Sequence, residues 1–154
     1  MKTVGQSESG KRRVERLEEA VFLELCRTQD LLARRISGLL KTEDLSANQY
    51  NVLRILRGSP EGLACGEIGN RMITRDPDIT RLLDRLEKRG LISRCRETKD
   101  RRMVMARITP EGTELLRRLD EPVREAHRGQ LGHLGRERLR EFGDLLRAAR
   151  EGVV

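Results

Sequence analysis

Apolar residues recur at helical spacing along most of this chain. Val14, Leu17, Val21, Leu25, Leu32, Ile36 and Leu39 predict one long helix. At 1.5 Å per residue it would span roughly 40 Å, more than a small domain can cover. Part of its apolar face should therefore be buried against a partner. The segment LSANQYNVLRILRGSPEG predicts a second helix, with Ser46 and Gln49 as a capping box and Gly58–Ser59–Pro60 as the stop. A short helix follows over 65–72. In ITRDPDITRLLDRLEKRG, Asp76 reads as an N-cap and Pro77 as the first helical residue. Ile79, Leu82, Leu83 and Leu86 form its inner stripe, and Gly90 ends it.

After Gly90 the period changes. Residues 91–95 and 103–108 read as two strands joined by a polar turn, 96–102. Thr109–Pro110–Glu111 starts another helix, whose inner face is Leu115, Leu116, Leu119, Val123 and Ala126. The glycines of HRGQLGHLG should break it, and a last helix carries Leu139, Phe142, Leu145, Leu146 and Ala149. The fold class is therefore mainly α with a small β-hairpin wing. Four parts are expected: a disordered tail (1–12), a long N-terminal helix (13–44), a winged helix-turn-helix domain (45–110) and C-terminal helices (111–154).

Composition sharpens this picture. Hydrophobic residues make up 36% of the 154 and charged residues 37%, which leaves a thin core for a monomer and favours burial in a homodimer. Aromatics are 2%, so base-stacking platforms for single strands are not expected. The net charge is +7 and the pI about 10.0. Lysine occurs only at 2, 11, 41, 88 and 99; the remaining cations are arginines. Arginine forks suit phosphates and guanine edges, although a GC-rich genome also raises arginine content. Cys26, Cys65 and Cys95 lie far apart with no CxxC pair, so a disulfide framework is not expected. The polar start MKTVGQSESGKRR has no signal-peptide core, and no apolar run reaches membrane-span length. A reducing cytoplasm and no membrane contact are expected.

Two helices joined by a tight turn and followed by a hairpin point to double-stranded DNA. The second helix would lie in the major groove. Arg75, Asp78, Thr80 and Arg81 are its candidate contacts, with Arg81 able to fork to guanine. The hairpin tip, with Lys99, Asp100, Arg101 and Arg102, would reach the neighbouring minor groove, whose negative potential favours arginine.

The segment from Leu45 to Leu116 resembles the MarR family of bacterial transcription regulators. DITRLLDRLEKRGLISR, KDRRMVMARIT and TPEGTELL match its recognition helix, its wing and the start of its fifth helix. The resemblance implies a homodimeric regulator, most often a repressor, on a pseudo-palindromic operator. It implies that Asp100 of the D-x-R signature braces the wing and that wing arginines enter the minor groove. It also implies a small-molecule effector in a crevice lined by Leu25, Leu32, Ile36, Tyr50 and Leu53. Some relatives sense oxidants at a cysteine near the dimer helices, where this chain has Cys26, but a buried packing role is the reading favoured for Cys26. One departure stands out: family members often carry Ser, Thr or Gln where this chain has Asp76 and Asp78. With Asp84, these carboxylates support a rival reading, a winged-helix protein–protein interaction module without DNA binding.

Catalytic motifs are not found: GxSxG, Walker A, HExxH and GxGxxG are all missing. His127 and His133 lack a third ligand at metal-site spacing. Neither enzyme activity, a metal nor a cofactor is expected.

Overall fold

The structure, a computed structural model, describes residues 7–97 and 103–153. The chain falls into two compact units, 1–35 and 36–154. The first is the helix α1 as far as Arg35. α1 spans Ser7–Lys41, so residues 7–12 belong to the helix and not to the tail expected there. In this unit Leu17, Val21, Phe22 and Leu31 are at least 60% exposed.

The second unit begins with the last turn of α1. Its C-terminus is closed by Asp44, a non-glycine residue at φ 53°. There the Leu45 N–H donates to the Leu40 carbonyl (3.0 Å) and the Asp44 N–H to the Lys41 carbonyl (3.1 Å), the pairing of a Schellman cap. α2 (Ala47–Arg57) starts with the expected capping box, Ser46 and Gln49 each bonding the other's backbone. A two-residue strand β1 (Leu63–Ala64) leads into α3 (Cys65–Arg71). α4 spans Ile79–Lys88, followed by β2 (Ile92–Arg96) and β3 (Val104–Ile108).

The sheet is antiparallel in the order β1-β3-β2, with Leu63 opposite Ala106 and Arg94 opposite Ala106 from the other side. The third strand adds an edge to the two expected ones. The hairpin is closed beyond the ladder by the Glu97 N–H on the Met103 carbonyl (2.9 Å).

α5 (Pro110–Leu131) begins with Pro110 under the Thr109 cap, as expected. The Thr109 hydroxyl accepts the Gly112 N–H (3.1 Å) and donates to the Gly90 carbonyl (2.6 Å), so one residue joins the end of α4 to the start of α5. A Cβ at Gly112 would stand 2.3 Å from the Leu91 carbonyl oxygen, which explains why this turn carries glycine. The break in HRGQLGHLG falls late: α5 runs through Gly129, and a 3-10 turn (Gly132–Leu134) precedes α6 (Gly135–Glu151).

The core of the second unit is built from Leu40, Val52, Leu53, Leu56, Ile68, Leu83, Leu86, Ala106 and Leu116, each fully buried. Leu115, Leu119, Val123 and Ala126 of α5 bury the face expected of them. α6 buries none of its residues.

Candidate nucleic-acid interface

The turn that presents α4 is held from below by α2. The Asn51 carboxamide oxygen accepts the Ile73 N–H (2.8 Å), and the Asn48 amide donates to Asp76 (2.8 Å). Asp76 also accepts the Asp78 N–H (3.0 Å). These two bonds, the backbone one first, hold the Asp76 carboxyl below the ordinary aspartate range. Asp76 is therefore not the cap of α4. The N-cap is Asp78, whose carboxylate accepts the Arg81 N–H (3.0 Å), and Pro77 lies before the helix. Both residues suit an N-cap, and the choice is made by Asn48, 28 residues away, which claims Asp76.

The opposite flank of α4 is tied to the hairpin. The Arg94 guanidinium on β2 donates to Glu87 (2.6 and 3.0 Å) and also pairs with Asp84. The Arg94 N–H adds a bond to Glu87 (3.1 Å). The hydrogen bonds with Glu87, then those with Asp84, push Arg94 above its ordinary range, and the same contact lowers Glu87. Arg94 is the important residue that sequence reasoning passed over. Its pattern as a polar residue in a strand carries no sign of which helix it will clamp.

The three carboxylates that argued against DNA are thus each engaged within the chain: Asp76 in the turn, Asp78 in the cap, Asp84 with Arg94. Asp78 is placed at the start of α4 but as a backbone ligand, with one carboxylate oxygen bound to the Arg81 N–H. Arg75, Thr80 and Arg81 are exposed. The Arg81 side chain has no ion-pair partner among the described residues, so it is not spent on Asp78 or Asp84. Ile73, 87% exposed in the same turn, adds an apolar group that the sequence did not single out. Lys99, Asp100, Arg101 and Arg102 lie outside the described residues.

The residues expected to line an effector crevice divide between the two units. In the first, Leu25 is exposed and Leu32 partly buried. In the second, Ile36 and Tyr50 are partly buried against the core, and Leu53 is fully buried within it. Leu53 is thus a packing residue, since no solvent-facing surface remains on it. Tyr50 borders a different opening of about 310 Å³, lined also by Arg54, Arg57, Asp120, Arg124 and His127. There Arg57 forks onto Asp120 (2.9 and 3.0 Å) across 63 residues and holds that carboxyl below its usual range. Arg54 sits 5.8 Å from the Tyr50 ring centroid.

Cys26 and Cys95 are exposed, so the expectation of Cys26 as a packed residue fails in this unit. Cys65 is half-buried, and burial pushes its thiol up, away from reactivity. Among the described residues, no His, Cys, Asp and Glu side chains group as metal ligands, and no helix is long and apolar enough to cross a membrane.

The MarR family model matches residues 45–104. The HTH-type transcriptional regulator PecS of Dickeya dadantii is 30% identical over 132 residues, covering 84% of this chain and 80% of that protein. A MarR transcription factor from Planctomyces limnophilus is 43% identical in its crystal structure, with a TM-score of 0.67 over 84% of this chain and 95% of that one. The PcaV transcriptional regulator from Streptomyces coelicolor, solved in complex with its natural ligand, is 26% identical with a TM-score of 0.67, both chains being covered in full. The two-helix turn, the clamped hairpin and these likenesses agree, and the chain belongs to the MarR family of transcriptional regulators.

Proposed function

We propose that this chain works as a homodimeric repressor that binds a pseudo-palindromic duplex through α4 and the hairpin. The observation that carries this reading is the distribution of charge around α4. Its carboxylates are engaged internally, whereas Arg75 and Arg81 are exposed and Arg81 has no ion-pair partner among the described residues. Arg81 is then the base-edge contact and Arg75 a phosphate contact, with Thr80 beside them. Arg94 acts at one remove: it holds the angle between α4 and β2, so helix and wing meet adjacent grooves together. Lys99, Arg101 and Arg102 complete the minor-groove contact, braced by Asp100. The interaction-module reading loses its best support because its three carboxylates have partners inside the chain.

The second copy is expected on the apolar positions of α1 and α6. Two recognition helices would then enter major grooves about one helical turn apart. The parts assigned from sequence follow this reading: 45–110 reads DNA, while 13–44 and 111–154 pair the subunits. Relief of repression is assigned to a small molecule held beside Tyr50, where Arg54, Arg124 and His127 favour a negatively charged or phenolic compound. PcaV, solved with a natural ligand, supports looking for one.

The test is fluorescence anisotropy on duplex DNA from the region upstream of the coding sequence, against a scrambled duplex, over a salt series. Tight binding to the first alone is expected, with log Kd rising by about 0.9 per phosphate contacted for each decade of salt. Arg81→Ala should weaken the specific complex by about tenfold to a hundredfold. Binding that Arg81→Ala leaves unchanged would sink the assignment of α4 as the reading helix.

A further inference from the structure

Arg81, Arg85 and Lys88 are spaced by four and three residues, so they form one stripe along α4. Leu82, Leu83 and Leu86 point away from it into the core, and Asp84 and Glu87 turn toward Arg94. The stripe leads from the helix start into an open pocket of about 520 Å³. Four cations, Lys41, Arg85, Lys88 and Arg89, line this pocket against a single carboxylate, Asp44.

Of the four, Arg89 is engaged elsewhere. Its guanidinium donates to the Glu43 carbonyl (2.9 Å) and to the Asp44 carbonyl, tying the end of α4 to the cap of α1. Lys41, Arg85 and Lys88 are exposed and have no ion-pair partner among the described residues. Of the other acids near these cations, Glu43 is held by Arg118 (2.8 Å), and Asp76, whose carboxyl Arg85 helps to lower, is hydrogen-bonded by Asn48 and the Asp78 N–H. The remaining lining is uncharged: the apolar Leu45 and the polar Ser46 and Gln49. The Gln49 carbonyl oxygen accepts the Ser46 N–H (2.9 Å), which leaves its amide N–H groups as donors. Like charges gathered around one concavity repel one another, and an anion seated among them removes that cost.

We propose that this pocket binds a phosphate group. A phosphate group spreads its charge over several outward-facing oxygens and so engages several converging cations at once, and the mixture of arginine fork and lysine point charge suits tetrahedral oxygens. The phosphate can come from the operator backbone beyond the recognition helix or from a free phosphorylated compound. The first source rests on the proposed DNA reading; the second does not. Either way the occupied pocket bears directly on α4, because Arg85 and Lys88 belong to it and Arg89 anchors it.

The test compares the wild-type chain with the double variant Arg85→Gln/Lys88→Gln and with Lys41→Gln. All three side chains are exposed, so thermal melts should match and certify folding. In one arm, sodium pyrophosphate is titrated into the DNA-free protein and followed by amide chemical shifts. Shifts at Lys41, Ser46, Gln49 and 85–89, weakened about tenfold in the double variant, are expected for a free phosphate ligand. In the other arm, binding to the upstream duplex is measured over a salt series. A salt slope reduced by about 0.9 for each phosphate that the variant no longer neutralises identifies the operator backbone as the source. A change in either arm supports the phosphate site and names its source. Identical pyrophosphate titrations and identical salt slopes in wild type and double variant overturn it. If the wild type binds no duplex, the DNA reading fails and the pyrophosphate arm still decides the pocket.

Discussion

The middle of this chain and its two end helices are written in the same leucine-rich, arginine-rich style, yet they end in opposite states. In the second unit Leu53, Leu56, Leu83, Leu86 and Leu116 are completely buried. In the first unit α1 leaves Leu17 64%, Val21 60% and Phe22 62% exposed, and at the end of the second unit α6 buries no residue and Leu145 is 63% exposed. Helical periodicity states that a face must be covered; it does not state by what. For the middle, α2, α4, α5 and the sheet supply the cover. For α1 and α6 the described chain supplies too little, and a second copy is the proposed remedy.

The strongest way to break the middle is from inside. Leu86→Ala removes a fully buried side chain between α4 and the rest of the core and should cost about 2–5 kcal/mol. Thermal melts of the variant should show a fall in Tm of many degrees; an unchanged Tm would mean that a different core holds the fold. Gly112→Ala belongs with it, because the added Cβ meets the Leu91 carbonyl at 2.3 Å and must displace backbone.

The end helices should respond differently. Val21→Glu together with Phe22→Glu alters only surface-exposed positions of α1. The expected result in sedimentation is a mass halved to that of one chain, at a protein concentration where the wild type is paired. Affinity for a two-half-site duplex should drop by about a hundredfold or more, since each half-site is then bound separately. A variant that stays paired would move the dimer contact off this face of α1.

How much of this was legible divides along the same line. Local features were: the Ser46–Gln49 box and Pro110 under Thr109 each rely on residues three or fewer positions apart. The buried stripe of α4 and the hairpin followed from period alone. The two-residue strand β1 was not legible, because alternation needs more positions than it has. Nor were Arg57 to Asp120, Arg118 to Glu43 or Arg94 to Glu87, since an arginine-rich sequence offers many partners and only the fold selects among them. Leu53, expected to line a crevice, is fully buried in the core, and core and pocket walls use the same residue types. Of the proposed recognition surface, the helix was legible and the intramolecular partners of its carboxylates were not.

The Arg57–Asp120 pair offers a smaller test within the middle. Its arginine holds the Asp120 carboxyl below the usual range. A depressed carboxyl stabilises the fold above its unfolded pKa, and that contribution is lost as pH falls through the folded value. The window lies below about pH 4, where an unfolded aspartate begins to take up its proton. Both side chains are about a third exposed, so solvent screening limits the contribution to about 1 kcal/mol or less. Asp120→Asn should lower stability at pH 7 and make the acid limb of the stability curve shallower. A limb of the same steepness as wild type would assign acid sensitivity to other carboxylates, Glu43 and Glu87 first among them.

The finest distinction concerns the two aspartates before α4. If Asp78 is the cap, Asp78→Ala removes an acceptor from the Arg81 N–H and should cost about 1 kcal/mol, whereas Asp78→Asn keeps an acceptor and should cost much less. The asparagine variant also deletes one negative charge beside the proposed groove contacts, so its affinity for duplex should rise slightly while its melt stays the same. Asp76→Asn has a different signature. It keeps an oxygen for the Asp78 N–H but weakens the charge-assisted bond from Asn48, and so loosens the turn before the helix rather than the cap itself. If instead Asp76→Ala frayed the first turn of α4 and Asp78→Ala did not, the helix would begin at Pro77 as local sequence preference suggests. The outcome decides whether a long-range contact from α2 or the local preference of Asp-Pro sets the first residue of the proposed reading helix.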